Sequence, residues 1–227
     1  MNSMNFIIAS EKKWNKNLVG KLNQDTPFTW ESINKKEDLS IDHLKKINPQ
    51  KIFFPHWSHI IPKEIYNRFE CVVFHMTDLP YGRGGSPLQN LIVRGHKSTK
   101  VSALKVGDGI DTGDIYLKSP LSLEGTAKEI FERANDIISE QILTIVNKEL
   151  VPKQQTGEPT IFKRRTPEES NISELNEVED IYDYIRMLDA EGYPMAFIET
   201  KNFKFEFNAV EKVDNNSLTA NVRIIKK

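Results

Sequence analysis

Apolar positions along the chain alternate between short continuous runs and helical spacing. Phe6 to Ala9 reads as a short buried strand. Ser10 then reads as a helix N-cap, with Trp14, Leu18 and Leu22 on one face. Ser40 caps a second helix that turns Ile41, Leu44 and Ile47 inward, and Asn48-Pro49 ends it. Lys51 to Phe54 forms a strand, and Pro62 opens a helix carrying Ile65 and Phe69. Cys71 to Met76 is an apolar strand of the kind buried in a parallel sheet. Its period of two puts Cys71, Val73 and His75 on one side and Val72, Phe74 and Met76 on the other. Ser86-Pro87-Leu88-Gln89 reads as a capping box with proline at the first helical position. Val101 to Lys105 and Ile115 to Leu117 are strands around the turn-rich loop from Gly107 to Gly113. Thr126-Ala-Lys-Glu129 is a second capping box, opening a long amphipathic helix marked by Ile130, Ala134, Ile137, Ile138 and Ile145. Strands alternating with helices predict an α/β domain with a mostly parallel sheet.

The pattern changes after Pro152. The stretch from Pro152 to Arg165, with Gly157, two prolines and several polar residues, reads as a linker. It divides residues 1–160 from residues 161–227. A helix from Asn176 to Asp189 follows, with Val178, Ile181, Ile185 and Leu188 on one face and Gly192 ending it. Phe203, Phe205 and Phe207 then alternate with Lys204 and Glu206. After the turn Asp214-Asn215-Asn216-Ser217, the positions Leu218, Ala220, Val222 and Ile224 alternate again. This is a small, mainly antiparallel β unit with one buried face, and its phenylalanine stripe reads as core.

Composition narrows the classes. A chain of 227 residues with 38% apolar and 28% charged residues suits one ordinary globular domain and a smaller one. No apolar run approaches membrane-spanning length, and Phe6 to Ala9 is too short for a signal-peptide core. The single cysteine, Cys71, excludes an internal disulfide framework and any multi-cysteine metal site, and fits a reducing, cytoplasmic setting. A formal net charge of −1 gives no general pull toward phosphate backbones or anionic membranes.

The chemistry concentrates in His75-Met-Thr-Asp-Leu-Pro-Tyr-Gly-Arg-Gly-Gly-Ser-Pro-Leu-Gln-Asn90. A histidine ending a parallel strand stands at the carboxyl edge of the sheet, where open α/β folds place ligands. Gly82, Gly84 and Gly85 let backbone approach a ligand closely, and the next helix turns free N–H groups toward the same edge. Further on, Val106-Gly-Asp-Gly-Ile-Asp-Thr-Gly-Asp114 sits between two strands and can return a carboxylate there. Asp108, Asp111 and Asp114 recur every third residue, unlike the alternate ligands of a calcium loop. The spacing of His56, His59 and His75 supports no closed zinc site, so no metal is expected.

Taken together, His-x-x-x-Leu-Pro-x-x-Arg-Gly-x-x-Pro from His75 and Asp-x-Gly-x-Asp-Thr-Gly-Asp-Ile around Asp111 resemble the 10-formyltetrahydrofolate-dependent formyltransferases. Pro55-His-Trp-Ser-His-Ile-Ile-Pro62 is similar to the loop that helps hold the folate's pterin ring in that family. Arg165-Thr-Pro-Glu-Glu and the stretch from Arg186 to Phe197 resemble the start of its small C-terminal β domain. The resemblance implies a Rossmann-like catalytic domain, 10-formyltetrahydrofolate as co-substrate, and no metal. His75 and Asp111 match the family's catalytic histidine and aspartate. His56, Trp57, Ser58, His59, Ile60, Lys105, Val106, Gly107 and Asp108 fall where the folate would bind. Thr77, Arg83, Gly84 and Gly85 fall on the substrate side.

One position departs from the pattern. The family's asparagine stands two residues before the histidine, where this chain has Val73, which donates no side-chain hydrogen bond. Asn90, in the first turn of the helix after the motif, is the first candidate to replace it. Thr77 and the histidines His56 and His59 are the others. For the acceptor, Arg164 to Lys227 holds 9 basic and 13 acidic residues, which argues against an RNA-binding arm. The motif is similar to formyltransferases of surface-sugar pathways such as pseudaminic acid synthesis. The expectation is therefore formylation of a nucleotide-linked amino sugar, of the UDP-4-amino-4,6-dideoxy type, in surface polysaccharide biosynthesis. No nucleic-acid or membrane partner is expected, and the apolar faces of the C-terminal unit offer a surface for a homodimer. The competing readings are a methionyl-tRNA formyltransferase-like enzyme and a folate- or nucleotide-binding relic without catalysis.

Overall fold

In the computed structural model, which describes residues 4–12 and 15–227, strand β1 (Asn5–Ala9) buries four consecutive apolar residues, Phe6 to Ala9. Ser10 does not cap the helix that follows. Its buried hydroxyl accepts from Asn15 Nδ2 at 2.8 Å, and α1 (Lys16–Asp25) starts later, with Leu18 and Leu22 in the core. Trp14, expected on the same face, lies outside the described residues. β2 (Thr29–Ile33) buries only Trp30 and Ile33, three apart, so a period of two does not reveal it. In α2 (Ile41–Ile47) the Ser40 side chain accepts from His43 N–H at 3.3 Å, and Asn48 ends the helix in the left-handed region. β3 (Lys51–Phe54) leads to α3 (Lys63–Tyr66), a single turn behind Pro62, and then to β4 (Glu70–His75).

The two-residue strand β5 (Arg83–Gly84) precedes α4 (Pro87–Ile92), which lacks the capping box its sequence suggests. Ser86 Oγ instead accepts from Arg165 N–H at 3.1 Å, and Gln89 Nε2 donates to Met187 O at 3.1 Å. Both capping side chains are thus engaged by later chain. β6 (Ser98–Lys105) and β7 (Ile115–Ser122) form a hairpin, closed by Lys105 N–H to Asp114 O and Leu123 N–H to Lys97 O. β7 runs past Pro120 because it is an outer strand, where a missing N–H breaks no ladder bond. The Thr126–Glu129 box does form, and α5 (Ala127–Asn147) buries Ile130, Ala134, Ile138, Ile142 and Ile145.

The six-stranded sheet has the order β2-β1-β3-β4-β6-β7. The pairings β1–β2, β1–β3 and β3–β4 are parallel, whereas β4 and β6 are antiparallel. This is a mostly parallel, Rossmann-like sheet. One face of β4 packs Cys71 and Val73 into a cluster with Ile7, Ile52, Phe54 and Ile65. On the other face Phe74 stacks near Phe53, and Phe53 lies near Phe6 and Trp30. The chain forms two compact units by contact, residues 1–83, 100–119 and 134–160, and residues 84–99, 120–133 and 161–227. In the first, Pro152 to Thr160 is bonded at both ends: Lys153 exchanges backbone hydrogen bonds with Ile115, and Thr160 O accepts from Gly82 and Arg83.

The second unit adds β8 (Ile161–Phe162), α6 (Val178–Arg186), β9 (Ala196–Glu199), β10 (Phe203–Asp214) and β11 (Ser217–Lys226). The last three form an antiparallel sheet of order β11-β10-β9, with Phe205 opposite Ile224 and Phe207 opposite Val222. The expected buried face is only partly covered, since Phe203 is 41% exposed, Val222 49% and Ile224 62%. In α6 the buried pair Asp183–Arg186 (2.6 Å) is completed by Arg186 donating to Leu123 O and Gly125 O. A buried guanidinium with its donors occupied costs far less than an unpaired one.

Candidate active site

His75 ends β4 and is 8% exposed. Its Nε2 lies 2.7 Å from Gly82 O, and a carbonyl oxygen only accepts, so Nε2 carries the hydrogen. Its Nδ1 faces Asp111 Oδ2 at 3.5 Å. The structure therefore brings together the histidine and aspartate the motif proposes. The route differs from the one expected. Because β6 runs antiparallel to β4, Lys105 pairs with Val72, and Val106 N–H donates to Cys71 O. The loop leaves the sheet at the amino-terminal end of β4, and Asp111 reaches back to His75. Asp111 has φ +54°, a left-handed conformation that aspartate tolerates better than most residues.

That turn is held by a residue the sequence does not single out. Gln155 Nε2 donates to the Asp111 and Gly113 carbonyls, 2.8 Å each, and its Oε1 accepts from Arg83 Nη2 at 2.7 Å. Arg83, expected on the substrate side, is thus engaged with Gln155. Thr77 is fully buried, and its hydroxyl donates to Gly82 O at 3.3 Å, the carbonyl that also accepts from His75. Gly84 and Gly85 make room for chain. A Cβ on Gly84 would lie 2.4 Å from Phe162 O, and one on Gly85 2.6 Å from Arg164 Cα.

Asn90 is 6% exposed, not solvent-facing. Its Nδ2 donates to Gly85 O, Ser86 O and Lys163 O at 2.8–3.1 Å, and its Oδ1 accepts from Arg94 Nη1 at 2.8 Å. Two amide hydrogens already serve three carbonyls. Val73, where the family has asparagine, is a partly buried member of the apolar cluster. Cys71 shares its face but is no nucleophile candidate, since burial and then the nearby Glu70 push its thiol up to about 12.

Helix α3, which follows the loop 55–62, is tied to the loop after β6 by Lys63 and Tyr66, which donate to Asp108 Oδ1 at 2.9 and 3.0 Å. His59 Nε2 pairs with Glu11 at 2.8 Å. Ile60 is 86% exposed and Ile110 68%, leaving apolar surface on both loops. Trp57 Nε1 is buried without a hydrogen-bond partner. His56 has φ +53°, and burial, followed by the charge of Lys12, holds its imidazole down to about 4. This has a testable cost. From the ordinary value of 6.5 downward the unfolded chain binds a proton that the folded one refuses, so stability is full above that pH and falls below it. Urea unfolding is expected to show a loss of about 2 kcal/mol between about pH 6.5 and 5. His56→Asn, which tolerates the left-handed backbone, should lack that loss.

Residues 5–146 match the family described as formyl transferase, and residues 167–225 match the methionyl-tRNA formyltransferase C-terminal domain. The chain belongs to the formyl transferase family. A methionyl-tRNA formyltransferase from Clostridium thermocellum has a solved structure at 52% identity, covering 99% of this chain and 100% of that one, with a TM-score of 0.95. A methionyl-tRNA formyltransferase of Thermodesulfovibrio yellowstonii is 28% identical over 80% of this chain, and this chain spans 61% of its length. A sugar N-formyltransferase from Shewanella sp. FDAARGOS_354 shares the fold at 18% identity and a TM-score of 0.71, over 93% of this chain and 99% of that one.

These similarities overturn two expectations. The amino-sugar acceptor, with its surface-polysaccharide setting, gives way to the methionyl-tRNA alternative, and with it falls the exclusion of nucleic acid as a partner. The charge argument failed for a physical reason. A sum over Arg164 to Lys227 leaves out bases that fold against the segment from elsewhere in the chain, as Lys97 does beside Glu179 and Asp183. Net charge along a segment does not describe the potential a polyanion meets. Among the described residues no helix is long and apolar enough to cross a membrane.

Proposed function

We propose that the chain formylates the amino group of an aminoacylated tRNA of the methionyl type, with 10-formyltetrahydrofolate as the formyl donor. The observation that carries this reading is the 52% identity, over essentially the whole of both chains, to the methionyl-tRNA formyltransferase of C. thermocellum. Exposed Ile60 and Ile110 supply apolar surface for a folate, and Trp57 Nε1 is a buried donor that a ring acceptor would satisfy.

His75 acts through Nδ1, since Nε2 is committed to Gly82 O. Nδ1 takes the proton that the attacking amine must lose, and the Asp111 carboxylate stabilises the imidazolium that forms. The proton then returns to the departing folate nitrogen. Val73 offers no donor to the tetrahedral oxyanion, so the imidazolium charge carries more of that stabilisation. Asn90 and Thr77 serve the scaffold. The test is incubation of the purified chain with 10-formyltetrahydrofolate and methionyl-tRNA, followed by mass spectrometry of the released amino acid. Formylmethionine on the tRNA is the expected product. Formylation of small free amines with none on charged tRNA would overturn the reading.

A further inference from the structure

We infer that Gln155 is a positioning residue for the reaction, acting on His75 through the Asp111 turn; this rests on the catalytic reading of that pair. Four observations converge on Gln155. The Ile115–Lys153 backbone exchange aligns the following chain so that Gln155 lies across from Gly113. Its Nε2 then bonds both carbonyls of the turn, Asp111 O and Gly113 O, at 2.8 Å. Its Oε1 accepts from both Nε and Nη2 of Arg83, which fixes the amide's orientation, because only the nitrogen can face two carbonyls. Finally, Asp111 itself is in the left-handed region, which aspartate tolerates but which still costs a non-glycine residue some energy, so contacts that hold the turn favour it.

The chain of effect is short. The amide holds the backbone of Asp111, the backbone aims the carboxylate, and the carboxylate faces His75 Nδ1 at 3.5 Å. Arg83 holds the amide, so a motif residue of the glycine-rich loop and a residue of an irregular strap set one carboxylate between them. Small misplacements of such a group cost one to two orders of magnitude in rate.

The experiment compares Gln155→Ala and Gln155→Glu in the full chain. The glutamate keeps the oxygen facing Arg83 and loses both N–H donors. Both variants are expected to lower kcat about 10- to 100-fold, with KM for 10-formyltetrahydrofolate and methionyl-tRNA unchanged within about twofold. In an Asp111→Asn background, Gln155→Ala should cost less than about twofold more, because the effect passes through the carboxylate. A loss of equal size in both backgrounds, or full activity of Gln155→Glu, would overturn the inference. Hydrogen exchange needs no substrate. Amides from Gly109 to Asp114 should exchange at least about tenfold faster in Gln155→Ala, while those of β4 are unchanged. Unaltered exchange sinks the clamp whatever the chain formylates. Faster exchange in a chain whose wild type never formylates charged tRNA supports the clamp and refutes the proposed acceptor.

Discussion

Replacing His75 with alanine is expected to lower kcat for formyl transfer to methionyl-tRNA by about 10³–10⁴-fold, with the fold retained. Two terms are lost together. The imidazole no longer takes and returns the amine proton, which general acid–base catalysis values at about 10²–10⁴. The positive charge beside the oxyanion also disappears, and no side-chain donor from Val73 remains to compensate. Asp111→Asn keeps the shape but removes the charge facing Nδ1, and should cost about 10²–10³. Asn90→Ala marks the contrast. It strips a donor from Gly85 O, Ser86 O and Lys163 O, and should lower stability by about 1–3 kcal/mol while kcat changes only a few-fold. Steady-state kinetics on the three variants, with circular dichroism as the folding check, decides the matter. If His75→Ala retained a tenth of the activity, or if Asn90→Ala abolished it in a folded protein, the role assignment would be wrong.

Gly113→Ala should be the most damaging single-methyl change near the site. A Cβ there would lie 1.7 Å from Lys105 O and 2.9 Å from its carbonyl carbon, both backbone atoms of the neighbouring strand. No rotamer relieves such a clash, so the β6–β7 hairpin must part where Lys105 N–H donates to Asp114 O. The expected cost is about 4 kcal/mol or more, at the extreme of single substitutions, and roughly a 10 °C fall in melting temperature. Gly107→Ala, with no atom within 4 Å of the added methyl, is the matched control and should be far milder. Equal melting temperatures for the two would contradict the close packing of that hairpin.

The sequence is most readable where one residue type has one physical use. The apolar run of β4, the Ser40 cap, the Thr126–Glu129 box and the Asp214–Ser217 turn all rest on local chemistry, and all form. It is least readable where a side chain bonds outside the motif its spacing suggests. Ser10 and Ser86 resemble caps, but each bonds a partner that local spacing does not reveal. Periodicity gives strand β6 but not its direction, so the approach of Asp111 from the amino-terminal end of β4 was not foreseeable. Gln155 carries no signal at all, being one polar residue among several in an irregular stretch. The glycines at 84 and 85 look like room for a ligand and prove to be room for Phe162 and Arg164.

The fixed hydrogen on His75 Nε2 also bears on proton traffic in the proposed mechanism. With that nitrogen closed by Gly82 O, the ring has a single open port, Nδ1, and the side chain at that port is Asp111. The Asp111 side chain keeps 15% of its surface in solvent against 9% for His75. In the proposed mechanism, the group that orients the imidazole is therefore also the more exposed of the two, and a proton exchanged with water between turnovers would pass it.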